Sequence, residues 1–198
     1  MSESGTRAEP LTREQVVDAA LRLAARDGIA GLTMRALAGE LKVTTMAPYH
    51  HVPGKRALLE LVADSVLARI AAPTPDADRW EEQVKEVADE FLHEVGRYPG
   101  LAEFLLEGGL REQGRRLVRA QLDILRAAGF DETEVHLAYA TVHTYMFGRL
   151  LVATRARRGG SSRKEPDAPW VGLPSSAWSD YGLGTVLAGL RARLAEPG

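Results

Sequence analysis

The chain has 198 residues, 45% hydrophobic and 26% charged with a formal net charge of −2, which excludes wholesale disorder, collagen and coiled-coil compositions and, at roughly 150 residues per domain, allows one or two domains. With no cysteine, disulfide frameworks, thiolate zinc sites and cysteine nucleophiles drop out, and a near-neutral balance requires any nucleic-acid surface to be local. The longest apolar runs fall far short of the roughly 20 residues of a membrane helix and residues 1–10 form a polar arm without a signal-peptide core, so no membrane partner and a cytoplasmic location are expected.

Thr12-Arg13-Glu14-Gln15 is a capping box, and Val16, Ala20, Leu23 and Ala24 then line one face of a helix over 12–27 that Gly28 stops. Thr33 caps a second helix through Leu41, with Leu37, Ala38 and Leu41 facing inward; Thr44 offers the cap of a third running to His51 and Val52. Pro53-Gly54 separates it from an apolar helix over 55–70 that carries Leu58, Leu59, Val62, Val66 and Leu67. Two prolines in 71–75 mark the expected domain boundary, giving domains 1–70 and 71–198.

Beyond it, Trp80, Val84, Val87, Phe91 and Val95 keep helical register over 79–97, and short breaks at Pro99-Gly100 and Gly108-Gly109 bracket a helix over 101–106. Helices over 110–128 and from Asp131 to about 157 follow, the latter with Tyr139, Val142, Tyr145, Met146, Phe147 and Leu150. Residues 159–176 are Gly-, Ser- and Pro-rich and read as a loop, before a last helix over 178–195 in which Val186, Leu187, Leu190 and Leu194 form an apolar stripe and Gly184, Ala188 and Gly189 permit close helix approach. No stretch alternates at the period of a strand, so the fold class is all-α.

The segment 33–52, two short helices around a tight turn, has the layout of a helix-turn-helix reader. Leu32-Thr33-Met34-Arg35, Leu37-Ala38, Val43 and the run from Met46-Ala47-Pro48-Tyr49-His50-His51-Val52-Pro53-Gly54-Lys55 to Leu59 resemble the DNA-binding domain of the TetR family of repressors over about 12–70. The rest of the chain resembles the C-terminal domain of the tetracycline-repressor branch, through its helix layout, Tyr98-Pro99-Gly100-Leu101 and the turn Ala127-Ala128-Gly129-Phe130. The resemblance implies an N-terminal helix-turn-helix domain of three helices and a C-terminal helical domain for ligand binding and dimerisation.

It also implies that Thr33, Arg35, Tyr49, His51 and Lys55 contact phosphates and that Thr44, Thr45, Met46 and His50 read base edges. These types suit the two tasks: hydroxyl, guanidinium, phenol, imidazole and ammonium groups donate to phosphate oxygens, whereas threonine and methionine offer methyl contacts to thymine. Two departures stand out. Lys42 occupies a turn position where the family usually has glycine, and Pro48 falls inside the reading helix, where its missing N–H removes the first regular backbone bond.

In the second domain Phe104, Tyr139, His143 and Phe147 are the candidate ligand-lining residues, combining aromatic bulk with a few polar tips. His136 and His143 lie seven apart on the helix that also carries Tyr139, but no third ligand lies close in sequence, so neither metal nor cofactor is expected. The expected function is a homodimeric, ligand-responsive regulator, most simply a repressor released from a pseudo-palindromic double-stranded DNA operator by a small apolar or amphipathic effector. The alternative is an all-α small-molecule-binding protein or enzyme without specific DNA binding. Motifs of acyl transfer, phosphate loops and zinc peptidases are absent from the sequence.

Overall fold

A computed structural model describes residues 10–108, 110–158, 177 and 179–195, with side chains of the long helix described to 154. The elements are α1 Arg13–Gly31, α2 Met34–Leu41, a 3-10 turn Ala47–His50, α3 Lys55–Leu67, a 3-10 turn Ala77–Arg79, α4 Trp80–Gly96, α5 Leu101–Leu106, α6 Glu112–Ala128, α7 Glu132–Arg158, a π-helical turn Ser179–Leu183 and α8 Gly184–Leu194. The fold is all-α. Two compact units, Met1–Val62 and Ala63–Gly198, divide within α3. The expected loop at 159–176 with Trp170, and Trp178, lie outside the described residues.

In the first unit the capping box forms as its residues require: the Thr12 hydroxyl accepts the Gln15 amide at 3.2 Å and the Gln15 side chain accepts the Thr12 amide at 2.9 Å. Gly28 interrupts α1 at φ 72, ψ 173, a conformation that needs no Cβ, and one further turn runs to Gly31. The apolar face of α1, through Val16, Ala19, Ala20, Leu23 and Ala24, buries against α2, with Leu37, Ala38, Val52, Leu58 and Val62 completing the core.

In the second unit α4, α6 and α7 pack on one another, α5 closes against α4 and α7, and α8 lies on α7. Trp80, Val84, Val87, Phe91, Leu117, Ile124, Val135, Val142 and Met146 are buried, and Trp80 meets Phe130 edge-to-face with ring centroids 5.5 Å apart. The stretch between α3 and α4 is held by one buried side chain: Gln83 donates to the Thr74 carbonyl at 2.7 Å and accepts the Asp76 amide at 3.0 Å. Reciprocal end-caps tie α3 to α6. Asp64 accepts the Gln113 amide at 2.8 Å, and Arg116 donates to the Leu67 carbonyl at the end of α3 at 3.4 Å and to the Ile70 carbonyl just beyond it at 2.7 Å.

The last helix is shorter than its sequence pattern predicts. α8 begins only at Gly184, because a π-helical turn sets Gly182 directly against the Tyr145 ring and shifts the register. Leu187 and Leu190 of the expected stripe are buried, whereas Gly184, Ala188 and Gly189 are exposed.

Candidate functional site

The first site is assembled by the helix ends of the first unit. Thr33 is extended (φ −127, ψ 157), and its hydroxyl accepts the Ala36 amide at 3.1 Å, so α2 starts there with Arg35 in solvent. Lys42 ends α2 in the left-handed region (φ 54, ψ 39), and the Val43 amide reaches back to the Ala38 carbonyl at 3.1 Å, the six-to-one bond of a Schellman ending.

The helix expected from Thr44 does not form. Pro48 has no N–H to return to the Thr44 carbonyl; that carbonyl takes the Ala47 amide at 3.0 Å instead, and the chain tightens into one 3-10 turn, Ala47–His50. The cap position is Met46, without a side-chain hydrogen bond, rather than Thr44. Pro48 and Val52 are buried beneath the turn, and the His51 and Val52 amides both donate to the Pro48 carbonyl at 3.0 Å. Thr44, Thr45, Met46, Tyr49, His50 and Lys55 are consequently left exposed, Met46 by 66% and Tyr49 by 41%, while His51 is half-buried.

Charge in this unit is sorted by position. Arg22 and Arg26 on α1 both grip Glu40, at 3.1 and 3.3 Å, and the Arg22 hydrogen bond holds that carboxyl below its usual range. Arg56 pairs with Glu60 at 3.1 Å. Among the described residues Arg35, Lys42 and Lys55 have no carboxylate at ion-pair distance.

The second site lies in the second unit. Tyr139, His143 and Phe147 occupy successive turns of α7, with centroids 4.7 Å apart for Tyr139–His143 and 4.8 Å for His143–Phe147. Phe91 of α4 closes the group at 5.4 Å from Phe147 and 6.0 Å from His143. Burial pushes the His143 imidazole down to about 4 and the Tyr139 phenol up to about 12, so both are neutral near pH 7. Phe104, half-buried on α5, makes no ring contact with this group. His136 is exposed, its ring nitrogen 2.7 Å from the Glu132 carbonyl, and no trio of metal-ligating side chains occurs among the described residues. A cavity of about 80 Å³ opens between α4 and α7 at Leu92, Gly96, Pro99, Arg149 and Leu150, and the ring cluster does not line it.

Residues 16–62 match the family model of bacterial regulatory proteins of the tetR family, and residues 72–178 match that of the tetracyclin repressor-like C-terminal domain. The chain belongs to the tetR family. Tetracycline repressor protein class D of Escherichia coli is 32% identical over 167 residues, 83% of this chain and 75% of that protein. Streptomyces coelicolor ActR in complex with actinorhodin has a TM-score of 0.77 at 26% identity, over 94% of this chain and 100% of that one. BioQ with its double-stranded DNA operator has a TM-score of 0.68 at 30% identity, over 92% and 99%.

Two features escaped the sequence reading. The helical register of Phe91 shows that it is buried but not that its partners are His143 and Phe147. The neutralisation of Arg22 and Arg26 depends on Glu40, up to 18 residues away on another helix, which periodicity does not report.

Proposed function

We propose that this tetR-family protein is a regulator rather than a catalyst: a cytoplasmic homodimer that represses transcription from a pseudo-palindromic operator and is released by a small apolar or amphipathic effector. The observation that carries the reading is the turn over 44–50, which presents two threonines, a methionine, a tyrosine and a histidine to solvent on a buried proline. These side chains flank Arg35 and Lys55, which have no carboxylate at ion-pair distance among the described residues. Phosphates would be met by Thr33, Arg35, Tyr49, His51 and Lys55, and bases by Thr44, Thr45, Met46 and His50. Operator DNA and actinorhodin appear in the names of the related structures of BioQ and ActR, which supports both halves of the reading.

Residues 1–70 would serve DNA and 71–198 the effector and the second subunit. The α7 positions Leu137 and Val152, 62% and 49% exposed, together with the small exposed residues of α8, form the surface offered to that subunit. Such a dimer addresses half-sites about 34–36 Å apart, and the effector acts by favouring the state that does not fit them. Tyr139, His143 and Phe147, with Phe104 from α5, are the effector-side residues. The 80 Å³ cavity between α4 and α7 is smaller than the roughly 300 Å³ of typical ligand pockets and lies apart from these residues.

Anisotropy with a labelled duplex that the protein selects from a random pool tests the DNA half. Lys55→Ala should weaken all duplexes alike and flatten the salt dependence, whereas Thr45→Ala should change which duplex is preferred. Binding without salt dependence would favour the small-molecule-binding alternative. Sedimentation showing a stable monomer at micromolar concentration would remove the dimer.

A further inference from the structure

We infer that Lys42 is an additional phosphate-contacting residue of the interface, a positioning side chain held at the turn between α2 and the reading segment. The inference rests on the DNA-binding reading and goes beyond it, since Lys42 lies outside the residue set that reading uses. Lys42 is the one non-glycine residue at positive φ among the described residues. That conformation costs a side chain with a Cβ steric strain that glycine would not feel.

The backbone bonds of the Schellman ending, from the Lys42 amide to Gly39 and from the Val43 amide to Ala38, hold the turn, but among the described residues the Lys42 ammonium has no carboxylate at ion-pair distance. The side chain is exposed, and Glu40, the nearest carboxylate in sequence, is already held by Arg22 and Arg26. What the position does have is placement. It follows α2, whose start carries Thr33 and Arg35, and lies one residue, Val43, before the exposed Thr44, Thr45 and Met46. An ammonium group on a flexible stem at that point donates to a phosphate oxygen wherever the backbone of a bound duplex runs. A cation at a helix C-terminus is also favoured by the helix dipole, so binding and stability have to be read separately.

The test uses the full-length chain, a fluorescein-labelled duplex recovered by the wild-type protein from a random pool, and the variants Lys42→Gly, Lys42→Asn and Lys42→Arg. Asparagine tolerates the left-handed region without charge; arginine keeps the charge. Lys42→Gly is expected to raise Tm by about 2–4 °C while weakening DNA binding about 3–10-fold and lowering the slope of log K against log salt by about 0.9. Lys42→Asn should lose the same slope, and Lys42→Arg should retain it. Wild-type slope and affinity in both uncharged variants would overturn the inference while leaving the DNA-binding reading intact. Loss in Lys42→Gly but not in Lys42→Asn would also overturn it, by assigning the effect to turn flexibility. A wild-type protein that recovers no duplex would remove the DNA-binding reading itself, and the inference with it.

Discussion

Replacing His143 with phenylalanine should make the protein less sensitive to acid. The imidazole sits among Phe91, Tyr139 and Phe147, and burial lowers it from 6.5 to about 4. Between those values the unfolded chain binds a proton that the folded chain refuses, so stability rises with pH across this window and is lost as pH falls from 6.5 towards 4. At 1.36 kcal/mol per pKa unit, the full difference is about 3 kcal/mol, of which about 2 kcal/mol is already lost at pH 5. Above pH 7 the contribution is constant.

Phenylalanine fills the same ring position without a titrating group. Urea unfolding followed by circular dichroism at pH 8 and pH 5, at one ionic strength and protein concentration, should show His143→Phe losing about 2 kcal/mol less than the wild type between the two conditions. Carboxylates and exposed histidines contribute equally to both proteins and cancel. If the two lose stability in parallel, the imidazole is wet, and the packed ring cluster is wrong as described.

Two further outcomes follow from contacts in the second unit. Asp64→Ala removes the carboxylate that accepts the Gln113 amide at 2.8 Å and should cost about 0.5–2 kcal/mol, as loss of a helix cap does, with Asp64→Asn closer to wild type; urea midpoints at unchanged m-value measure both. Gly182→Ala would set a methyl against the Tyr145 hydroxyl and ring, so either the turn or the ring must move, at a cost of about 1–3 kcal/mol, read as a lowered Tm.

Where local chemistry decides conformation, the sequence was legible. The capping box at Thr12, the break at Gly28 and the cap at Thr33 follow from side chains acting on their own backbone, and each forms. Pro48 announced a disturbed reading helix, but whether the helix would start late or tighten throughout depends on where the Thr44 carbonyl finds a donor, and only the folded chain shows that donor to be Ala47. The π-helical turn before α8 was invisible for a related reason: it packs Gly182 against Tyr145, 37 residues earlier in the chain, a contact that local sequence does not report. In the second unit the helical period identified the buried aromatics without telling which rings meet across α4 and α7. Ring partners are a property of packing, and Phe104 shows that a shared helical pattern does not guarantee a shared cluster.

The tightened turn over 47–50 also constrains how this sequence can change over generations. With three residues per turn, positions three apart stack on one side, and the Tyr49 amide closes on the Met46 carbonyl at 3.1 Å, aligning those two exposed side chains one above the other. A mutation at either position alters the space open to the other, so their effects on target preference are expected to be non-additive. Lineages descended from this protein should therefore change positions 46 and 49 together. A library varying one site at a time would miss the combinations that depend on both.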